Sequence, residues 1–200
     1  MDGSARETWN ARYRERGSDP GPPSDWLVEN QALIGGTRAL DLACGTGRNA
    51  RHLAGLGFTV DALDISDVAI EALQGIAGVH ARAVDLEREA LPAGAYDVVL
   101  MINYLQRDLF AAAADALAAG GVLIAETVTR AHVEQLRRAF DPRFLLEPGE
   151  LRDAFPDLHV LRFEEGVVQR SGRPRAVAAL VAQRPAELAE LAELAAQRPG

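Results

Sequence analysis

The stretch 39-ALDLACGTGRNARHLAGLG-57 decides how the rest of this chain is read. An apolar run ends at Asp41, two glycines follow at Gly45 and Gly47, and an amphipathic pattern then begins. Ala50, Leu53, Ala54 and Leu56 fall at helical spacing, so a helix over 48–56 would carry them along one buried side. Strand, glycine turn, helix is the layout of a nucleotide-binding loop, in which glycine lets the backbone approach a ligand without a β-carbon in the way. Gly45-Thr46-Gly47-Arg48-Asn49-Ala50 fits the G-x-G-x-x-A variant of the dinucleotide fingerprint. The glycines do not name the ligand. A nicotinamide dinucleotide, S-adenosylmethionine and an empty turn are all open at this point.

Outward from that turn the chain alternates strand and helix. Residues 37–42 read as the first strand and FTVDALDI (58–65) as the second, with Ser66 as N-cap of a helix reaching Leu73. VHARAVDL (79–86) and YDVVLMIN (96–103) read as the third and fourth, the latter almost unbroken apolar, as a strand covered on both faces should be. RDLFAAAADALAA (107–119) reads as a helix stopped by Gly120-Gly121, GVLIAETVT as the fifth strand, and 131–139 as a further helix. DPRF and EPGELRDAF then suggest a turn and a short helix. DLHVLRFEEGVVQ and AVAALVAQ, joined through RSGRPR, read as an antiparallel hairpin. Short βα links imply a parallel sheet wound right-handed with helices on both faces.

Before the glycine turn, ETWNARYRERG reads as a helix stopped at Gly17, with Trp9 and Tyr13 on one face. SDPGPPSDW breaks regular structure, and a helix capped by Ser24 or Asp25 runs from Trp26 to about Leu33. At the other end, PAELAELAELAAQRPG repeats A-E-L three times and reads as a helical tail.

Two hundred residues, 48% hydrophobic and 25% charged, suit one α/β domain with short appendages. The net charge of −8 argues against nucleic acid and anionic membranes as partners. All 21 basic residues are arginine, which rules out Schiff-base lysine chemistry and a Walker-type phosphate lysine. Cys44 is the only cysteine and the four histidines are scattered singly, so neither a disulfide nor a metal site is expected. With no signal-peptide pattern and no apolar run of membrane-spanning length, a cytoplasmic protein is the expectation.

In an open α/β sheet, ligands bind beyond the carboxyl ends of the strands. Those ends carry Asp41, Asp64, Asp85 and Asn103 in order along the chain. A pyrophosphate beside Asp41 would be electrostatically awkward, whereas the sulfonium and α-amino group of S-adenosylmethionine are cationic. Asp64 can accept from both ribose hydroxyls, a role shared with dinucleotide enzymes. Asp85 can accept from the exocyclic amine of adenine while the Leu86 amide donates to the ring.

LDLACGTGRN, VDALDIS, AVDLE and YDVVLMINYL, in that order, resemble the motifs of class I S-adenosylmethionine-dependent methyltransferases. The likeness extends over about residues 36–183, with Ala43 where the family commonly has glycine. DLACGTGRNARHLA together with WNARY is similar to the small bacterial tellurite-resistance and thiopurine-type methyltransferases. The resemblance implies a Rossmann-like, doubly wound, seven-stranded, mostly parallel sheet with a C-terminal antiparallel hairpin. It implies S-adenosyl-L-methionine as cofactor, held by Asp41, Ala43, Gly45, Gly47, Asp64, Ile65, Asp85, Leu86 and Asn103. Methyl transfer to a small-molecule substrate follows, with no obligatory catalytic side chain evident. Tyr13, Tyr104, Arg107 and Glu126 are the candidates for the substrate side. The corresponding organisation is an N-terminal helical lid over 1–35, a catalytic domain over 36–183 and the helical tail over 184–200. An NAD-dependent oxidoreductase and a non-catalytic S-adenosylmethionine-binding module are the alternatives. Against the oxidoreductase stand Asp41, Asp85, the terminal hairpin and the absence of lysine.

Overall fold

A computed structural model of the chain describes residues 3–17 and 19–186; most of the A-E-L tail lies outside them. The elements in chain order are α1 (Gly3–Arg16), α2 (Asp25–Asn30), β1 (Arg38–Leu42), α3 (Arg48–Gly55), β2 (Thr59–Asp64), α4 (Asp67–Glu71) and β3 (Val79–Ala83). There follow β4 (Tyr96–Ile102), α5 (Phe110–Asp115), β5 (Leu117–Val128), α6 (Ala131–Glu134), α7 (Glu150–Asp153), β6 (His159–Arg170) and β7 (Arg173–Gln183). The strands form one seven-stranded sheet in the order β3-β2-β1-β4-β5-β7-β6, and β7 runs antiparallel to both its neighbours. Strand order reverses at β1/β4, where a ligand crevice is expected at the carboxyl edge.

Period-two alternation sorts each strand's side chains onto the two faces. Leu40, Leu42, Val99, Met101, Leu123, Ala125, Ala178 and Leu180 pack under α5 and α7 with Leu109, Ala113, Leu151 and Phe155. Ala39, Val60, Val98, Leu100, Ile124, Ala179 and Val181 pack on the other face against Trp26, Ala50, Leu53 and Leu73. Trp26 is completely buried; its indole N–H donates to the Leu180 carbonyl at 3.3 Å. Arg162 and Arg170 lie over its ring, 5.0 and 5.5 Å from the centroid, so α2 is clamped to the hairpin half of the sheet. Ser171 (φ 50°) and Gly172 (φ 71°) form the two-residue hairpin turn, both left-handed, as a turn matching the strand twist requires.

Most predicted elements stand near where the sequence puts them; β3 stops at Ala83 instead of Leu86 and α4 at Glu71 instead of Leu73, and three further differences have a visible cause. The alanine-rich helix stops at Asp115 and Leu117 already pairs with Tyr96, so residues 117–121 are strand, with a bulge before Val98 meets Val122. Pairing thus overrides helix propensity there. Leu56 is 48% exposed, because α3 ends one residue earlier and turns away from the sheet. The helix expected over 131–139 closes after Glu134.

Candidate functional site

A cavity of about 1060 Å³ opens at the carboxyl edge of the sheet, beyond β1, β2, β3 and β4. Its wall includes Ala43, Gly45, Asp64, Ile65, Asp85, Leu86 and Asn103, with Tyr13 and Tyr104. Four predicted residues lie elsewhere: Asp41, Gly47, Arg107 and Glu126 do not line it.

The glycine turn explains the first two. Ala43 (φ 54°) and Asn103 (φ 57°) end β1 and β4 in left-handed backbone that non-glycine residues seldom adopt. The family's usual glycine at the first of these positions would relieve that strain. Gly47 (φ 79°) serves packing: a β-carbon there would sit 2.2 Å from Cδ2 of Leu73, so the glycine lets α3 close against the residues after α4. Asp41 points under the first turn of α3. Its Oδ2 is buried without a partner, and the nearby Ala50 amide favours the charged form. Burial raises its pKa from 3.8 to about 7, opposed by the Arg48 cation and reinforced by Asp64.

Asp64 braces the loop while facing the cavity. Its Oδ2 accepts from the Gly45 amide at 2.9 Å and its Oδ1 from the Ser66 amide at 2.9 Å. Burial pushes its pKa up, against those same backbone bonds. The carboxylate keeps acceptor capacity for a ligand hydroxyl. Ser66 caps α4 through the Ala69 amide and donates to the Asn10 side chain. With the Arg6–Asp67 ion pair at 2.8 Å, this docks α1 across the cavity mouth. Tyr13, stacked on Trp9 at 5.8 Å between centroids, brings its hydroxyl against Gly45. Asp85 accepts from the Glu87 amide at 3.1 Å and pairs with Arg88 at 3.3 Å.

Tyr104 donates to Oε1 of Gln106, whose amide nitrogen donates to the Leu86 carbonyl at 3.2 Å. Burial first, then nearby carboxylates, pushes the Tyr13 and Tyr104 phenols well above their ordinary range, so both stay neutral. Burial likewise raises the Cys44 thiol, which excludes a ready thiolate nucleophile.

The other two predicted substrate residues are engaged structurally. Arg107 forks onto Glu150 (Nε–Oε1 2.5 Å) and donates to the Leu145 carbonyl at 3.0 Å, tying α5's entry to α7. Glu126, 3% exposed, is paired with Arg170 at 2.6 Å beneath Trp26. The cavity wall also holds Trp9, Arg12, Arg16, Thr127, Phe140, Arg143, Phe144 and Arg175. Their signal was partly present: Trp9, Arg12, Tyr13 and Arg16 share one face of α1. Arg175 carried none beyond its charge.

A family model described as a methyltransferase domain matches residues 11–184. The ubiquinone biosynthesis O-methyltransferase of Burkholderia orbicola strain MC0-3 is 32% identical over 118 residues, covering 52% of this chain and 49% of that protein. The chain thus spans about half the length of the curated relatives it matches. TehB from Haemophilus influenzae superposes with a TM-score of 0.65 at 20% identity, over 79% of this chain and 61% of that one. A protein solved in work on conversion of a disulfide bond into a thioacetal group during echinomycin biosynthesis gives 0.68 at 23% identity, over 96% and 97%. At these identities the two structures show a shared fold.

Proposed function

The chain belongs to the methyltransferase domain family, and from that premise we propose that it is an S-adenosylmethionine-dependent methyltransferase acting on a small molecule. The observation that carries the reading is the acidic rim. Asp64 and Asp85 face the cavity, and Asp41 lies behind the glycine turn with a buried, unpartnered Oδ2. That set suits an adenosine joined to a cationic amino acid and opposes a pyrophosphate.

In this reading Asp64 holds the ribose hydroxyls, Asp85 and the Leu86 amide read the adenine edge, and Ile65 packs beside the ring. The backbone of Ala43, Gly45 and Asn103 lies along the methionine portion, Gly47 lets the turn close, and Asp41 supplies negative potential from beneath. S-adenosylmethionine supplies an electrophilic methyl group on a sulfonium. The chain's contribution is to position an acceptor in line with it and to exclude water. Tyr13, on α1, closes the turn from above, within the N-terminal segment 1–35 that we assign as a helical lid. Neutral Tyr104, fixed by Gln106, presents an uncharged wall to the acceptor, and residues 36–183 form the catalytic unit.

Isothermal titration tests the proposal. S-adenosylhomocysteine is expected to bind and NAD is not; the opposite preference would reject it.

A further inference from the structure

A second cavity, about 400 Å³, lies beside the first and is walled by Arg138, Arg170, Ser171, Arg173 and Arg175. Arg175 lines both. The hairpin register explains the concentration of charge. Val168 lies opposite Arg175 and Arg170 opposite Arg173, so all four side chains leave the same face of β6 and β7. Arg138 reaches the same place from the loop after α6.

These cations differ in what neutralises them. Arg170 is committed to Glu126 at 2.6 Å and Glu164 at 2.7 Å, with Glu29 at 3.9 Å. Among the described residues Arg138, Arg173 and Arg175 have no ion pair. Burial disfavours the charge on Arg175, as do the neighbouring Arg48, Arg138 and Arg170, while Glu126 favours it. A half-buried guanidinium with no carboxylate of its own is a forked donor set lacking an acceptor. In a chain of net charge −8, low-dielectric walls concentrate that positive potential at one end of the cavity. Phe140 and Phe144, 43% and 38% exposed, stand on the wall of the larger cavity and offer an apolar surface there.

We propose that the methyl acceptor has an apolar body and an anionic head, a carboxylate or phosphoryl oxyanion, and that Arg175 holds that head at the junction of the two cavities. The proposal rests on the methyl-transfer reading above and adds the acceptor's chemical class. Arg138 and Arg173 add to the attracting field, and Phe140 and Phe144 flank the body. The acceptor's reacting atom then lies on the cavity side of Arg175, toward the carboxyl ends of β1 and β4.

Benzoate, phenyl phosphate and the neutral isostere benzamide are the probes, titrated into wild-type protein and Arg175→Met with S-adenosylhomocysteine present. At least one anion is expected to bind wild-type protein about tenfold or more tightly than benzamide, the size of a charge-assisted fork. Which anion binds better separates the carboxylate from the phosphoryl class. In Arg175→Met the preference should vanish while affinity for S-adenosylhomocysteine stays within about twofold, since the lost fork does not touch it. Benzamide binding as tightly as both anions, or no anion binding, overturns the proposal. So does a variant that loses S-adenosylhomocysteine affinity by the same factor, because the guanidinium would then serve the cofactor's own carboxylate. If Arg175→Met does not fold, the wild-type comparison decides alone. Wild-type protein that prefers the anions yet fails to bind S-adenosylhomocysteine would sink the methyl-transfer reading and leave the anion site standing.

Discussion

Asp41→Asn removes a buried carboxylate whose ionisation the fold resists, and its effect is calculable. The native pKa is raised from 3.8 to about 7, chiefly by burial. In that window the native state holds a proton that the unfolded chain releases, so stability falls as pH rises, and the fall is complete once pH passes the native value. At about 1.4 kcal/mol per unit the full penalty approaches about 4 kcal/mol, and the part falling between pH 5 and pH 8 is about 2 to 3 kcal/mol. Urea unfolding at both pH values should show wild-type protein losing about that much more stability than Asp41→Asn, which carries no charge there. The same carboxyl should register the cofactor. A cationic amino group placed over the glycine turn lowers the Asp41 pKa, so binding near pH 6 should expel up to about one proton. Titrations in two buffers of different ionisation enthalpy measure that proton, and Asp41→Asn should release none. Parallel pH–stability curves for the two proteins, together with identical proton release, would refute the reasoning.

Asp64→Ala should weaken S-adenosylhomocysteine binding by about 1–3 kcal/mol; an unchanged dissociation constant in calorimetry would remove Asp64 from the site. Gly47→Ala should cost about 1–3 kcal/mol in urea unfolding, because it combines left-handed backbone with a clash against Leu73, and a wild-type midpoint would contradict that account. Glu126→Gln should destabilise the fold by about 3 kcal/mol, the low end for a broken buried ion pair, since Arg170 keeps Glu164. Cofactor affinity should hold in that variant. Lost binding at full stability would return Glu126 to the site.

What the sequence disclosed and what it withheld divide along physical lines. Strand-to-helix alternation, the glycine turn and the hairpin are local, written in periodicity and turn residues, and β1, β2, β4 and β7 stand within a few residues of their predicted places. The end of α5 was hidden because ALAA (116–119) favours helix on its own, and only pairing of Leu117 with Tyr96 turns it into strand. Arg107 and Glu126 were recognisable as unusual charges at strand and helix ends. Their partners, Glu150 and Arg170, are 43 and 44 residues away, and nothing local announces such pairings. Asp41 was recognised by its place before the glycines, but not its burial under α3, which depends on how that helix sits. Arg175 escaped notice because its importance comes from hairpin register, which places three arginines on one face.

The late insertion of β7 imposes an order of manufacture. Residues 38–128 suffice to lay down β3-β2-β1-β4-β5, yet the N–H and C=O groups on the outer edge of β5 stay unpaired until residues 173–183 arrive to cover them. During synthesis that strand is an open template for pairing with another nascent chain. A premature stop anywhere between β5 and β7 would therefore leave a five-stranded sheet with an open, adhesive edge that only residues 173–183 cover.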